Sequence, residues 1–223
     1  MSRQRAKRSS AAAAGALKGS AKTREQIISV AIEEFAAHGF HGTKVSDIVS
    51  RAGMTQPVFY FYFPSKQAIY DYLIQRAHDE LLSTIRAARV PPDLDRANVP
   101  DMVRAAIEAF LRYFVDNRLL ANIGYFQSPI SAAIRDEIIS VLSRHIAYEQ
   151  GAGYFRRSFD PVFVAECYIG TLERIIQRYL FTDRASARDV ATNVADILLH
   201  GIRSPDPDSA KPDTNFKSGS ESR

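Results

Sequence analysis

Cysteine and tryptophan are scarce in this sequence: its 223 residues include one cysteine, Cys167, and no tryptophan. A single cysteine excludes an intramolecular disulfide and any zinc finger or ribbon built from cysteine pairs. Hydrophobic runs are short, and none approaches the roughly 18 apolar residues that a membrane-spanning helix needs. The 11 glycines form no phosphate-binding loop pattern. These absences exclude a disulfide-built scaffold and argue against a membrane protein and a nucleotide-binding fold.

The positive charge is concentrated at the N-terminus. Residues 1–24 contain seven basic residues and no acidic one, a charge of +7, whereas the other 199 residues, with 22 basic and 25 acidic, carry −3. The first 22 residues are rich in Ala, Gly and Ser, which predicts a disordered arm. A basic arm on an acidic body suggests a polyanionic partner. Three interpretations stay open: a signal peptide, a solubilising tail, or an arm that contacts a DNA minor groove or phosphates.

Apolar residues recur at helical spacing through most of the chain and predict an all-α protein of about nine helices. A C-terminal tail over 203–223 has little apolar content and is predicted to be disordered. The predicted helices cover residues 23–38, 44–52, 56–63, 66–86, 102–117, 119–126, 131–150, 161–181 and 187–200.

Two short predicted helices joined by a turn at Gly53 form a helix-turn-helix pattern, with Thr43 and Thr55 as expected N-caps. In such a motif the second helix enters the DNA major groove, and its first residues meet the base edges. Those residues are Thr55, Gln56 and Pro57. Gln56 can form two hydrogen bonds to an adenine, Thr55 can contact a base or a phosphate, and Pro57 can supply apolar contact.

Five consecutive aromatic residues follow in the second helix of the motif. Phe59 and Phe63 are four residues apart and are predicted to share the core side. Tyr60 and Tyr62 are predicted to point away from the core, with hydroxyls that can contact phosphates. The orientation of Phe61 stays open. The alternative is an aromatic-rich core helix with no role in DNA binding.

Residues 23–70 resemble the DNA-binding domain of the TetR/AcrR family of bacterial transcriptional regulators. Lys66, at the start of the helix that Ser65 is expected to cap, would add a phosphate contact. The resemblance also implies a backbone contact from Lys44. The matching segments are residues 27–35 with 39–40, 43–48, 52–55 and 59–66.

The resemblance implies a three-helix helix-turn-helix domain over 23–68 and a ligand-binding and dimerisation domain over 69–202. It implies a cytoplasmic homodimeric regulator without enzymatic activity or cofactor. The expected partners are a palindromic double-stranded DNA operator and a small, apolar ligand that releases the repressor from DNA. No metal site is predicted, because the histidines lack the spacing of metal ligands.

Residue assignments in the larger domain also follow from the resemblance, and for each of them ordinary core packing is the alternative. Cys167 is predicted to be a small buried hydrophobe. The expected pocket residues are Phe110, Phe114, Tyr125, Phe126 and Tyr148. The expected dimer-interface residues are Tyr168, Leu172, Ile175, Tyr179, Val194, Ile197 and Leu198.

Two other functions remain as alternatives. A nonspecific DNA-binding protein would depend on the basic arm alone. An all-α carrier or enzyme for a hydrophobic compound would use the aromatic residues at the centre of the chain. The enzyme hypothesis is disfavoured, because the sequence contains no nucleophile–base or metal-ligand constellation.

Overall fold

The structure is a computed structural model that describes the backbone of residues 2–91 and 94–201 and the side chains of residues 19–91 and 94–201. Nine α-helices and no strand occur in this part of the chain. The all-α prediction is therefore confirmed. The tail predicted for residues 203–223 lies outside the described residues.

Helix α1 covers Ser2–Gly42. Its backbone is thus helical over residues 2–22, where the sequence predicts a disordered arm. The segment is rich in alanine, which has the highest helix propensity of all residues and favours continuation of the helix. Near the other end, Gly39 has φ 68° and ψ 175°. This left-handed φ suits glycine and breaks the helix where the sequence predicts its end.

Helices α2 (Val45–Arg51) and α3 (Gln56–Tyr62) complete the helix-turn-helix unit. Gly53, in the turn between them, has a φ of 66°, which an L side chain would disfavour. The next amide, that of Met54, donates a 2.8 Å hydrogen bond to the Val49 carbonyl oxygen. The turn glycine predicted from the sequence therefore has the conformation that the motif requires.

Thr43 does not cap α2 as predicted, because Lys44 is the N-cap residue and its side chain makes no capping bond. Thr43 is fully buried. Its hydroxyl donates to the carbonyl oxygens of Gly39 at 2.8 Å and Glu34 at 3.1 Å. Thr43 thus satisfies carbonyl groups at the end of α1, where the helix itself provides no partner.

Helix α4 covers Lys66–Ala87 and connects the helix-turn-helix unit to the rest of the chain. The predicted cap is present: the Ser65 hydroxyl accepts a 3.0 Å hydrogen bond from the Ala68 amide. Ile69 and Leu73 are fully buried, and Leu81 and Ile85 continue the buried side toward the C-terminal end. One helix therefore packs into both parts of the molecule.

The larger part of the molecule contains five further helices. Two π-helical turns, Asn122–Phe126 and Ile176–Leu180, follow α6 and α8. They divide the single helices predicted for 119–126 and 161–181, because a π turn bonds i to i+5 and interrupts the ordinary helical repeat. The helices are α5 (Val99–Asp116), α6 (Arg118–Ala121), α7 (Ser131–Gly151), α8 (Pro161–Ile175) and α9 (Ala187–His200).

Packing joins the two parts through one continuous apolar core. Helix α5 packs along α9 and α7 along α8, while α4 contacts α5, α7 and the π turn Asn122–Phe126. Helix α1 touches α6 and the same π turn. The helix-turn-helix unit is therefore held to the larger domain through α1 and α4.

Candidate DNA-binding surface and ligand cavity

Helix α3 presents one exposed face that contains the predicted base-contacting residues. Thr55, Gln56 and Pro57 are exposed at its start. Tyr60, one turn further, is 49% exposed, whereas Phe59 is fully buried. The structure thus brings four predicted DNA contacts together on this face, which we call the α3 surface.

Phe61 also belongs to the α3 surface, which settles an orientation that the sequence left open. It is 79% exposed. Phe61 lies four residues after exposed Pro57 and therefore shares its side of the helix, whereas Tyr62 lies four residues after half-buried Val58. The seven-residue length of α3 leaves two turns, so its outward face is narrow.

Tyr62 does not point outward as the sequence predicts. It is half-buried against the core, and its hydroxyl donates a 3.2 Å hydrogen bond to the Ser20 hydroxyl of α1. Alternation along the five aromatic residues suggested the wrong side, because a helix repeats after about 3.6 residues and not after two. Tyr62 consequently fastens α3 to α1.

The Lys66 ammonium forms hydrogen bonds within the domain and does not extend into solvent, where it could contact a phosphate. Its ammonium donates hydrogen bonds to the carbonyl oxygens of Phe40 at 2.7 Å and Thr43 at 2.8 Å. It also lies 4.4 Å from the centre of the Phe40 ring, a cation–π contact. Two of the three N–H groups of the Lys66 ammonium, which was predicted to contact a phosphate, therefore hold the segment between α1 and α2 against α4.

Lys44 differs from Lys66 in being exposed. It occupies the N-cap position of α2, where its ammonium forms no ion pair with the described residues. Its exposure is compatible with the backbone contact predicted for it.

Polar contacts that the sequence did not reveal fix α2 on α1. Arg51 pairs with Glu34 at 2.8 Å and also with Glu33. The Gln26 amide donates a 2.9 Å hydrogen bond to the Ala52 carbonyl oxygen at the end of α2. These residues position the motif from its inner side, and no periodicity in the sequence distinguishes them from surface residues.

Arg24 was counted with the basic N-terminal segment, but its side chain contacts other residues of the domain. Its guanidinium lies 5.0 Å from the centre of the Phe63 ring and 4.4 Å from that of Tyr72. It also donates a 3.3 Å hydrogen bond to the Tyr72 hydroxyl. Arg24 therefore joins α1 to the end of α3 and to α4.

A cavity of about 300 Å³ lies within the larger domain, between α4, α5, α7, α8 and α9. Its volume falls at the lower end of the range for small-molecule sites. Its wall is formed by Thr84, Ile85, Ala88, Val90, Met102, Val103, Ala106, Ile107, Phe110, Leu142, His145, Ile146, Glu149, Gln150, Tyr154, Phe155, Arg156, Phe159, Val164, Tyr168, Ile169, Leu172, Leu198 and Leu199.

Of the five predicted pocket residues, only Phe110 lines this cavity. Phe114 and Tyr125 are buried among other rings, with centroids 5.4 Å apart. Phe126 stacks edge-on against Phe181, and Tyr148 lies under the Arg89 guanidinium. Aromatic residues in a sequence indicate a buried, apolar environment. They do not reveal whether a side chain lines a cavity or packs in a filled core.

Tyr125 has a structural hydrogen bond in place of the predicted ligand contact. Its hydroxyl donates to Glu173 Oε1 at 2.5 Å, and the Nε atom of Arg135 donates to the same oxygen at 2.6 Å. Burial, and then the hydrogen bond to Glu173, raise the pKa of Tyr125 well above its ordinary value. The cluster joins α7 and α8 to the π turn Asn122–Phe126.

Several polar residues of the cavity wall form hydrogen bonds to other groups of the protein. The Gln150 amide nitrogen donates to the carbonyl oxygens of Arg156 at 2.8 Å and Phe159 at 2.9 Å. The Tyr154 hydroxyl donates to the Leu94 carbonyl oxygen at 2.9 Å. Burial, followed by the nearby cations Arg89 and Arg144, lowers the pKa of His145. These groups stabilise the wall.

Glu149 is a buried carboxyl in the same wall. Its side chain is 6% exposed. Burial raises its pKa to about 7, while a hydrogen bond from the Val90 amide and the charge of Arg89 act in the opposite direction. Burial, and then the neighbouring Glu149, raise the pKa of Tyr168. Sequence reasoning missed Glu149, because a single glutamate in an amphipathic helix ordinarily faces solvent.

The seven predicted dimer-interface residues differ in their exposure on a single chain. Leu172 and Val194 are buried, and Tyr168, Leu172 and Leu198 line the cavity. Ile175 and Tyr179 are half-buried. Ile197 and Leu198 are exposed, so the predicted set combines buried and exposed positions of α8 and α9.

The outer apolar stripe lies on α8 and α9. On α8 it contains Val162 and Phe163, which are 50% and 63% exposed, followed by the exposed Cys167, which was predicted to be buried. On α9 it contains Ile197 and Leu198, 53% and 40% exposed. We call these five residues the α8–α9 surface. The spacing of Phe163 and Cys167 at i and i+4 could have indicated it.

Comparison with known proteins bears on the whole chain. A family model described as bacterial regulatory proteins, tetR family, matches residues 27–73. The uncharacterized HTH-type transcriptional regulator YdgC of Bacillus subtilis (strain 168) is 32% identical over 181 residues, which cover 81% of this chain and 93% of that protein. The chain belongs to the tetR family of bacterial regulatory proteins. The matched segment contains the C-terminal part of α1, all of α2 and α3, and the start of α4.

Solved structures of other tetR-family proteins share the fold beyond the DNA-binding unit. A regulatory protein of the family from Rhodococcus RHA1 aligns with a TM-score of 0.67 and 25% identity over 83% of this chain and 99% of that one. FadR from Bacillus subtilis, solved in complex with stearoyl-CoA, aligns with a TM-score of 0.62 and 18% identity over 80% and 99%. The larger helical domain is therefore the second domain of the tetR fold.

As a tetR-family member, the protein is a DNA-binding transcriptional regulator and not an enzyme. Among the described helices, none has the length and apolar content needed to cross a membrane.

Proposed function

We propose that this tetR-family regulator is a homodimeric repressor that a small, largely apolar ligand releases from a palindromic operator. The observation that carries the proposal is the α3 surface, on which Thr55, Gln56, Pro57 and Tyr60 are exposed together. The other side of α3 is packed against the domain core through Phe59. A rigid, exposed helix with its N-terminal residues free is the form in which helix-turn-helix motifs enter the major groove.

Within this proposal the residues of the α3 surface have different roles. Gln56 and Thr55 contact bases, Pro57 supplies apolar contact, and the Tyr60 hydroxyl binds a phosphate. Lys44 adds a second backbone contact from the start of α2. Lys66 and Tyr62, whose polar groups bond within the domain, position α3 and α4 for these contacts.

The α8–α9 surface supports the proposed homodimer. Phe163 and Cys167 lie one turn apart on α8, Ile197 and Leu198 are adjacent on α9, and all four are exposed on a single chain; exposed apolar surface of this kind marks interaction sites when it lies together. Pairing the surface with its own copy about a two-fold axis would bury both and produce an isologous interface. The same axis would relate two α3 helices, so the matching DNA site would be palindromic.

Helix α4 supports the proposed coupling between ligand and DNA. Thr84, Ile85 and Ala88, at or just after the C-terminal end of α4, line the cavity. Lys66, at its N-terminal end, holds the segment between α1 and α2. A ligand that binds more tightly to a conformation with displaced α3 helices would shift the population away from DNA.

The cavity wall supports a ligand with an apolar body. Most lining side chains are aliphatic or aromatic, as is usual for small-molecule sites. FadR of Bacillus subtilis, which has the same fold, was solved with stearoyl-CoA. That complex demonstrates for FadR that this fold can enclose a long apolar group.

A DNA-binding assay tests the proposed function. The full chain is titrated into labelled DNA from the region upstream of its own gene, and into unrelated DNA of equal length, at several salt concentrations. We expect a salt-dependent shift that favours the upstream DNA. Gln56→Ala should lower the preference at one base pair by about 1–3 kcal/mol. Gln75→Ala, an exposed glutamine on α4, is the matched control and should leave the preference unchanged.

Two outcomes would contradict this proposal. Equal affinity for the two DNA fragments would favour a nonspecific DNA-binding protein. An unchanged base preference in Gln56→Ala would remove Gln56 from the set of base contacts.

A further inference from the structure

Two polar groups of the cavity wall retain hydrogen-bonding capacity. The Val90 amide and the charge of Arg89 both act to lower the pKa of the buried Glu149 carboxyl, and among the described residues this carboxyl forms no ion pair. A carboxylate can accept about four hydrogen bonds. The Tyr168 hydroxyl makes no hydrogen bond to a described residue. The Gln150 side-chain amide, in contrast, already donates both of its hydrogen bonds to carbonyl oxygens of the protein. Glu149 and Tyr168 are therefore two polar groups available to a ligand; the Arg156 guanidinium, 5.3 Å from the centre of the Phe159 ring, also belongs to the wall.

The surroundings of Glu149 compensate a negative charge only in part, because burial raises its pKa more than the Val90 amide and Arg89 lower it. Arg89 acts on Glu149 at a distance, while its guanidinium lies 4.0 Å from the centre of the Tyr148 ring. His145, one turn earlier on α7, has a lowered pKa because it is buried and lies near Arg89 and Arg144, which favours its neutral form. A buried carboxylate without a paired cation is costly. A ligand that brings a cation would remove that cost.

We infer that the cavity binds lipophilic amines, with the ammonium group of the ligand on the Glu149 carboxylate and the Tyr168 hydroxyl oxygen. The alkyl or aryl body would lie against the apolar wall, which includes Ile107, Phe110 and Phe155. Aromatic rings beside the ammonium add cation–π attraction. This inference names the ligand class of the cavity and rests on the function proposed above.

Other head groups fit the two polar residues less well. An alcohol can donate one hydrogen bond to Glu149 but brings no charge. A carboxylate would place a second negative charge beside the first, and a thioester or ester would offer an acceptor where a donor is needed. Charge-assisted hydrogen bonds are about twice as strong as neutral ones. The amine is therefore the head group that the wall selects.

A matched series of ligands tests the inference. Decylamine, decan-1-ol and decanoic acid share one chain length and differ in the head group. Calorimetric titration of the full chain at pH 7.5 without DNA gives the dissociation constants. We expect decylamine to bind about tenfold or more tightly than decan-1-ol, and decanoic acid to bind most weakly.

Variants identify the groups that are responsible. Glu149→Gln keeps the size of the side chain and should weaken decylamine binding about tenfold while changing decan-1-ol binding less than about twofold. Tyr168→Phe should weaken decylamine binding by a smaller factor. Asp136→Asn removes the same charge from an exposed site of α7 and should change neither affinity. The head-group series on the unaltered protein and Tyr168→Phe remain informative if Glu149→Gln does not fold.

The pH dependence of binding provides a further test. Decylamine affinity should rise between pH 6 and pH 8, because Glu149, with a pKa of about 7, loses its proton over this range. The other titratable or charged groups around it are Arg89 after α4, His145 on α7, Tyr154 and Arg156 after α7, and Tyr168 on α8. Helices α5 and α9 contribute only apolar residues to the wall.

The outcomes separate this inference from the proposed function. Decanoic acid binding as tightly as decylamine, no decylamine binding, or unchanged head-group selectivity in Glu149→Gln would each overturn the ligand class. Release of operator DNA is measured separately by mobility shift. Release by decanoic acid but not by decylamine would overturn the ligand class and leave the regulatory function standing. Decylamine binding without release would leave the ligand class standing and contradict the proposed regulation.

Discussion

Gly124 lies directly against Ala77: a Cβ atom added at Gly124 would be 2.4 Å from the Ala77 Cβ atom. Gly124 belongs to the π turn Asn122–Phe126, and Ala77 belongs to α4. Both positions are buried, so neither neighbour can move into solvent. The approach brings the larger domain into contact with the helix that begins at the DNA-binding unit. A small side chain is therefore needed on both sides of this contact.

Gly124→Ala should destabilise the protein by about 1–3 kcal/mol, because the added methyl group overpacks a closed contact. The free energy of unfolding in urea measures the effect. Gly19→Ala is the matched control, since a Cβ atom there would have nothing within 4 Å. The control should be neutral or slightly stabilising. Ala77→Gly combined with Gly124→Ala should recover part of the loss, and strict additivity of the two changes would contradict the contact.

Lys66→Met should lower the free energy of unfolding by about 1–3 kcal/mol, because it leaves the Phe40 and Thr43 carbonyl groups without their donor. The salt dependence of DNA affinity should keep its slope. Lys44→Met is the comparison: Lys44 is exposed, so its loss should spare stability and reduce the salt slope by about 1. A reduced slope in Lys66→Met would restore Lys66 as a phosphate contact.

Tyr60→Phe and Tyr62→Phe should differ in their effect on DNA binding. Tyr60 is 49% exposed, whereas the Tyr62 hydroxyl is bonded to Ser20. Loss of the Tyr60 hydroxyl should weaken binding to all sequences by about 1 kcal/mol. Loss of the Tyr62 hydroxyl should affect stability and leave affinity within error. Fluorescence anisotropy with specific and unrelated DNA decides between them, and equal losses would contradict the orientation of α3.

Phe163→Glu should convert the proposed dimer to a monomer, because it places a charge at the centre of an apolar interface. Sedimentation velocity measures the state of association. Val115→Glu is the control, since Val115 is a 45% exposed apolar residue on α5, outside the α8–α9 surface. If Phe163→Glu and the unaltered chain sediment with the same mass, the α8–α9 surface is not the interface.

The stability of the protein should fall as pH rises from about 4.5 to about 7, in part because of Glu149. Burial raises its pKa from 4.5 to about 7, so in this window the folded protein holds a proton that the unfolded chain has released. The linked loss is on the order of 2–3 kcal/mol. Urea unfolding at pH 5 and pH 8 should reveal it in the unaltered chain and in Asp136→Asn. Glu149→Gln should lack this contribution, and an unchanged pH dependence in that variant would contradict the buried environment of Glu149.

Much of the fold could be predicted because the local signals were strong. The turn glycine Gly53 and the caps Ser65, Asp160 and Ser186 mark helix boundaries that the structure confirms. Asp160, for example, accepts a 2.9 Å hydrogen bond from the Phe163 amide, as a cap before Pro161 should. Such signals act within a few residues, so the sequence alone contains them.

Predictions failed where they depended on contacts between distant segments. Tyr62 bonds to Ser20 and Lys66 to Phe40, 42 and 26 residues away in sequence. The π turn Asn122–Phe126 also lies at a tertiary contact, because its Gly124 packs against Ala77 of α4. The residue pattern of one helix does not predict which distant group will form a hydrogen bond with a given donor or acceptor.

The sequence by itself determined the all-α class, the helix-turn-helix motif and the residues at the start of its second helix, because apolar spacing, caps and turn glycines act locally. Only the tertiary structure decided which apolar stripe of α8 and α9 is interior, which aromatic side chains face a cavity, and that Glu149 lies in its wall. These depend on how helices far apart in the sequence enclose a space between them. That arrangement follows from the packing of the whole core, so it cannot be obtained from the pattern of any one helix.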